Sequence, residues 1–275
     1  LAIPQYNEIK YAELILANGF QTQYYKYELK VLAKYWKSIG VKPKKRKELL
    51  YEFCQKNINS FEREIHYKMI NSVLAYSNKK TSVPIVISSI AVYKHEFEIL
   101  NNLPIQDYQK KLLFALLVEK KIKKTLSNIM NGTHGNEENI SPYINISKKL
   151  GRSLIESAKI PSKYKINIIL HELSQLNYIT IMERELVKLD FIKMLSDVKS
   201  EKILDITTFD QSGYYFDLLN EDKKISFCED CASIIKRKAN NQKRCNDCNN
   251  THRKAYINEK VKEHNRKIKH SETVT

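Results

Sequence analysis

Two Cys-x-x-Cys pairs, Cys228 with Cys231 and Cys245 with Cys248, stand thirteen residues apart (232–244) and use four of the five cysteines. Each pair wraps two thiolates around one ion, and this separation lets both pairs reach the same ion. A short polar segment with little to bury can then fold around a tetrahedral metal. Four thiolates close the coordination shell, so the expectation is one structural Zn²⁺ rather than a catalytic site with an open position. His252, four residues after Cys248, is the alternative ligand. A redox pair would sit at the strand-to-helix junction of a βαβ unit, a pattern absent here. A disulfide framework needs an oxidising compartment, and the opening Leu1-Ala2-Ile3-Pro4 lacks the basic and apolar regions of an export signal. Cys54, alone in a helical pattern, reads as a small buried residue.

Between and after these pairs, Ile234 to Arg244 reads as a hairpin with a polar turn, and Thr251 to about Lys269 as a basic helix. The stretch Phe227 to His252, with Cys-Glu-Asp-Cys, Lys-Arg-Lys, Asn-Asn-Gln-Lys-Arg and Cys-Asn-Asp-Cys, resembles zinc-ribbon or treble-clef tails. Such tails occur on poorly characterised proteins of phages and mobile elements in low-G+C Gram-positive bacteria. The resemblance covers about a tenth of the chain and implies a zinc fold, preceded by a winged-helix-like segment similar to Ile146 to Phe191.

That segment carries its own pattern: a helix from Ile146 to Ala158, a turn at Lys159-Ile160-Pro161, and a second helix capped by Ser162 with Ile166, Ile169, Leu170, Leu173 and Leu176 facing inward. Asn177 is placed as a left-handed cap, and strands Tyr178–Met182 and Leu186–Phe191 follow, joined by Glu183-Arg184-Glu185. Helix, turn, helix, hairpin is the order of a winged helix-turn-helix. Upstream, apolar residues recur at helical spacing in four segments between Gln5 and Tyr76, the last capped by Ser60. A further helix runs from Ser88 or Ser89 to Leu100, and a long one from Asp107 to about Ser127. A Gly- and Asn-rich loop follows at 131–136. The fold class is mainly α: a helical N-terminal half, a winged helix-turn-helix-like middle and a small zinc module. Its domains are 1–80, 81–130, 131–222 and 223–275.

Charge is uneven along the chain. The formal +16 divides into +11 over 1–130, −3 over 131–222 and +8 over 223–275, and four thiolates on one Zn²⁺ would bring it to +14. Lysines outnumber arginines 39 to 8, the mark of an A+T-rich coding sequence, which raises positive charge without selection for a polyanion. Charge therefore counts only where local pattern supports it. In the winged-helix-like segment that applies to Lys148, Lys149, Arg152, Lys163, Tyr164, Lys165 and Asn167, and in the tail to Lys236, Arg237, Lys238, Lys243, Arg244, Arg253 and Lys254. These point to a nucleic-acid partner, DNA before RNA. The acidic hairpin turn favours the alternative, a factor that binds a protein machine.

No Gly-x-Gly-x-x-Gly, P-loop or His-Glu-x-x-His occurs, and His252 and His264 lack evident metal-binding partners, so the expectation is a non-catalytic protein. The longest apolar stretch, near Val83 to Val92, is interrupted by Pro84, Ser88 and Ser89 and falls short of the ~20 residues of a bilayer span. The chain reads as soluble and cytoplasmic.

Overall fold

A computed structural model describes residues 6–131, 143–146, 148–191 and 201–272. Among the described residues, ten α-helices account for about 59%, with short strands between them. The chain divides into two compact units, Leu1–Ile90 with Glu119–Pro142, and Ala91–Val118 with Tyr143–Thr275.

The first unit contains α1 (Glu8–Asn18), α2 (Tyr25–Ser38), α3 (Pro43–Asn57) and α4 (Arg63–Asn78). Tyr11 and Ile15, Leu29, Leu32 and Trp36, Leu50, Phe53 and Cys54, and Ile70 and Val73 lie three or four residues apart on their helices and close one core. Pro43 opens α3, where its missing N–H costs nothing. Ser60 does not cap α4; it takes a left-handed φ of 58°, and the helix opens after Glu62. Polar groups are threaded through this core. The Lys34 ammonium pairs with the Glu8 carboxylate, both almost fully buried, and Glu8 also accepts the Ile85 N–H at 2.7 Å. Fully buried Glu28 accepts the Tyr11 hydroxyl and the Gln21 N–H, each at 2.9 Å. Every buried carboxylate here thus has donors, as burial of charge demands.

After Ile90 the second unit continues β1 (Ile90–Tyr93), which pairs with β5 (Lys202–Ile206). The helix expected from Ser88 or Ser89 therefore starts later, as α5 (Lys94–Asn101), because the alternating Ile90 and Val92 are buried in strand geometry. Helix α6 (Asp107–Asn131) is buried on all sides from Leu112 to Val118, and the unit boundary falls after Val118. Of the Gly- and Asn-rich stretch, Asn131 closes α6 and the remainder lies outside the described residues. Phe97 of α5 and Phe114 of α6 both meet Phe216 of α9 (Ser212–Leu219), at 5.7 and 5.6 Å between ring centroids. Gly213 lets α9 approach the end of α7 (Lys148–Ser157): a Cβ there would lie 2.1 Å from the Ala158 carbonyl oxygen.

β2 (Tyr143–Asn145), β4 (Leu186–Leu189) and β3 (Ile179–Met182) form an antiparallel sheet in the order β2-β4-β3, with Ile144 and Ile181 both opposite Val187. α7 and α8 (Ile166–Gln175) lie in sequence between β2 and β3. Gly151 of α7 faces Ile146 and Ile166. Asn177 takes the left-handed conformation (φ 59°), and the Tyr178 N–H returns to the Leu173 carbonyl at 3.0 Å, ending α8 as its sequence indicates. Leu176, expected to face inward, is the residue on which α8 ends and is half exposed, and the start of α8 differs from expectation too. Lys163, Tyr164 and Lys165 precede the helix, and Tyr164 stacks on Tyr108 with ring centroids 4.1 Å apart. Among the described residues no helix is long and apolar enough to cross a membrane.

Candidate metal centre

The four cysteines come from two local structures. β6 (Ile225–Phe227) pairs with β7 (Ile234–Lys236), Phe227 opposite Ile234, so Cys228 and Cys231 occupy the turn of this hairpin. The hairpin expected within 234–244 is thereby shifted: its strands flank the first pair instead of following it. Ile225, Ile234 and Ile235 supply its buried side chains, and this apolar spacing fixes the register that the polar run after it could not. Tyr215 of α9 approaches Phe227, 6.3 Å between ring centroids. The turn closes with Ala232, whose φ of 54° is left-handed and whose N–H reaches the Cys228 carbonyl at 2.9 Å. Cys245 immediately precedes α10 (Asn246–Glu272), and Cys248 lies in its first turn.

The sulfur atoms of Cys228, Cys231, Cys245 and Cys248 all lie within 4.8 Å of one another. Cys231 Sγ and Cys245 Sγ are 3.8 Å apart. A tetrahedron with metal–sulfur bonds of about 2.3 Å has an edge of about 3.8 Å, so the cluster is compatible with a four-coordinate thiolate-bound metal such as zinc. Backbone donors already face the sulfurs: the Cys245 N–H points to Cys228 Sγ at 3.3 Å, and the Cys248 N–H to Cys245 Sγ at 3.4 Å. Burial opposes ionisation of Cys228, but the N–H groups of Cys245, Cys231 and Asp230 outweigh it and bring the thiol down to about 6. Cys248 moves the other way. Its hydrogen bonds to Cys245 and Cys231, together with burial, push its thiol well above the ordinary value. The peptide environment thus favours the Cys228 thiolate and resists those of Cys245 and Cys248, a resistance that a bound cation would offset.

The acids and cations around the cluster pair with each other. Arg244 Nε donates to Asp230 at 2.9 Å, His252 Nε2 lies 3.1 Å from the same carboxylate, and Lys243 meets Glu229 at 3.3 Å. His252 is therefore engaged with Asp230, and the sulfur cluster is made by the four cysteines. The Arg237 guanidinium donates to the Lys223 carbonyl. Lys236 and Lys238 are exposed, as is every residue of α10 from Asn249 to Glu263, including Arg253 and Lys254.

The remaining sequence candidates lie on α7 and α8. Lys148 and Lys149 open α7, and Arg152, one turn on, is exposed. Lys163 and Lys165 are exposed in the turn before α8, with the Lys163 ammonium 5.0 Å from the Tyr164 ring centre, and Asn167 is exposed on α8. Sequence reasoning missed a cleft of about 430 Å³ beside the cluster, lined by residues of the β7–α10 loop and the first turn of α10. Its signal was the density of Asn and Gln from 240 to 250, legible as polarity but not as a concave surface. No family model, curated protein or solved structure matches this chain.

Proposed function

We propose that the chain is a non-catalytic nucleic-acid-binding protein whose tail is folded by one structural Zn²⁺ on Cys228, Cys231, Cys245 and Cys248. The observation that carries this is α10: it leaves the four-sulfur cluster as a 27-residue helix, about 40 Å long, and from Asn249 to Glu263 none of its residues is covered. An isolated helix with no buried face is marginal in water. A metal at its first turn fixes its origin and direction, and its Arg253, Lys254 and Lys262 offer phosphate contacts along its length. A hairpin holding the first cysteine pair and a helix holding the second is the layout of a treble clef, which supports the zinc assignment. The test is a salt titration of binding with the metal-loaded chain. Binding falls steeply with salt, and Arg253→Ala with Lys254→Ala lowers the slope of log K against log salt by about two. No binding at low salt to duplex DNA, single strands or RNA overturns the proposal.

The order β2-α7-α8-β3-β4 with the sheet arranged β2-β4-β3 supports a winged-helix reading of the middle segment. Its second helix suits a protein partner better than a phosphate backbone. The span Ile166–Gln175 contains no Lys or Arg, while Ile168 (55% exposed), Leu176 (50%), Ile181 and Met182 (44% each) leave apolar surface open. Glu183 and Glu185 stand in the hairpin turn. This favours a second role, docking of a protein through the α8–β3 region. Affinity capture that retains a stoichiometric protein after nuclease and high salt would bear that out.

A further inference from the structure

We infer that the cleft beside the cysteine cluster holds one unpaired nucleotide, so that the tail prefers single strands to duplex and discriminates between bases. This rests on the nucleic-acid reading above and adds to it a place and a specificity. The cleft's volume, about 430 Å³, is in the range of small-ligand pockets (about 300–1,000 Å³) and suits one nucleotide. All its lining residues but Ala239 carry an amide or a cation, and none is acidic.

The lining groups separate into those already engaged and those open to a ligand. Gln242 is part of the frame: its Oε1 accepts the Lys238 N–H at 2.8 Å, and its Nε2 donates to the Arg244 carbonyl at 3.1 Å. Lys243 and Arg244 are turned to Glu229 and Asp230. Among the described residues, the Lys238 ammonium and the carboxamides of Asn241, Asn246 and Asn249 meet no partner, and all four residues are exposed. An ammonium matches a phosphate. A carboxamide carries donor and acceptor side by side, the pattern of a base edge, with adenine N6 and N7 its usual bidentate match. The concavity selects among nucleic acids. Base edges of a duplex lie at the floor of a groove and are read by a convex element entering it, whereas a hollow admits a base that is out of its pairing.

The experiment uses the full metal-loaded chain and fluorescence anisotropy with labelled ten-nucleotide oligo(dA), oligo(dC) and oligo(dT), their ribonucleotide counterparts, and a DNA hairpin duplex. Expected are at least tenfold tighter binding of one of the strands than of the hairpin, and at least fivefold discrimination among bases, on deoxy or ribo strands. Asn246→Ala with Asn249→Ala removes the discrimination while the salt slope stays unchanged, and Asn241→Ala, outside the helix, weakens it without touching α10. Lys238→Ala lowers the slope by about one. Thiolate-to-Co²⁺ absorption of each variant verifies that its cluster is intact. Equal affinity for hairpin and strands, or undiminished discrimination in both asparagine variants, overturns the inference and leaves the nucleic-acid reading standing. Absence of all binding by the unmodified chain overturns both.

Discussion

Lys34 and Glu8 form an ion pair inside the first helical unit, each about 4% exposed, and replacing one partner strands the other charge. Lys34→Met keeps the aliphatic stem but leaves the Glu8 carboxylate with a single donor, the Ile85 N–H at 2.7 Å. Breaking such a pair costs about 3–5 kcal/mol, mostly desolvation of the orphaned charge. At a urea dependence of about 2 kcal/mol per M, the unfolding midpoint falls by about 2 M. Glu8→Gln in the same background removes that charge, while its carboxamide oxygen can still accept the Ile85 N–H. The double variant therefore recovers at least about half of the loss, since a neutral amide costs far less to bury than a carboxylate. The chain's one tryptophan, Trp36, is 7% exposed and sits two residues after Lys34, so its fluorescence in a urea titration reports this core. A double variant no more stable than Lys34→Met would refute the argument, because the penalty would then come from packing rather than from stranded charge.

Thiol counting tests the metal centre. With metal bound, all five cysteines resist a disulfide reagent; after chelation the tail loses its fold and its four thiols react at pH 8, while Cys54 stays in the folded helical core, where burial pushes its thiol up to about 12, and reacts only in denaturant. The same shift gives a pH dependence: this contribution to stability is complete below the ordinary thiol value of 9.0 and is lost as pH rises toward 12, seen as a falling urea midpoint by Trp36 fluorescence. Cys228→Ser or Cys245→Ser abolishes Co²⁺–thiolate absorption of the native type and collapses the amide spectrum of residues 225–250. Gly213→Ala drives a methyl group into the Ala158 carbonyl oxygen, which would lie 2.1 Å away, and costs about 1–3 kcal/mol in a urea titration followed by circular dichroism.

What was legible in the sequence was whatever local chemistry decides. Cysteine spacing located the cluster, helical periodicity found α1 to α4, and Asn177 marked the end of α8 because few residues accept a left-handed φ. What was missed depended on distant partners. β1 pairs with β5 across more than a hundred residues, and nothing in Ile90–Tyr93 alone distinguishes that strand from a helix start. Tyr164 could have stood in the first turn of α8, but its ring stacks on Tyr108, 56 positions earlier, and the helix begins after it. The tail hairpin was misplaced for a related reason. Its strands are three residues each, too short for a period to show, and their register comes from three buried isoleucines.

Positive charge guides the search for a ligand only after its internal partners are subtracted. Lys243, Arg244 and Lys260 belong to the basic tail in any count, yet each faces an acid, Glu229, Asp230 and Glu263 respectively. These exposed pairs add little stability, since such contacts are worth about 0–1 kcal/mol, but they weaken the local field that would draw in a phosphate. On the proposed nucleic-acid reading, phosphate contact would fall to cations with no acid beside them. Lys238 at the cleft and Arg253 and Lys254 on the first turns of α10 have none among the described residues, and they flank the four-cysteine cluster. A net charge inflated by lysine-rich coding and a cation placed by a folded metal centre make opposite predictions. Scattered surface lysines can be replaced with little change in the salt slope, whereas each of these three removes about one unit of it.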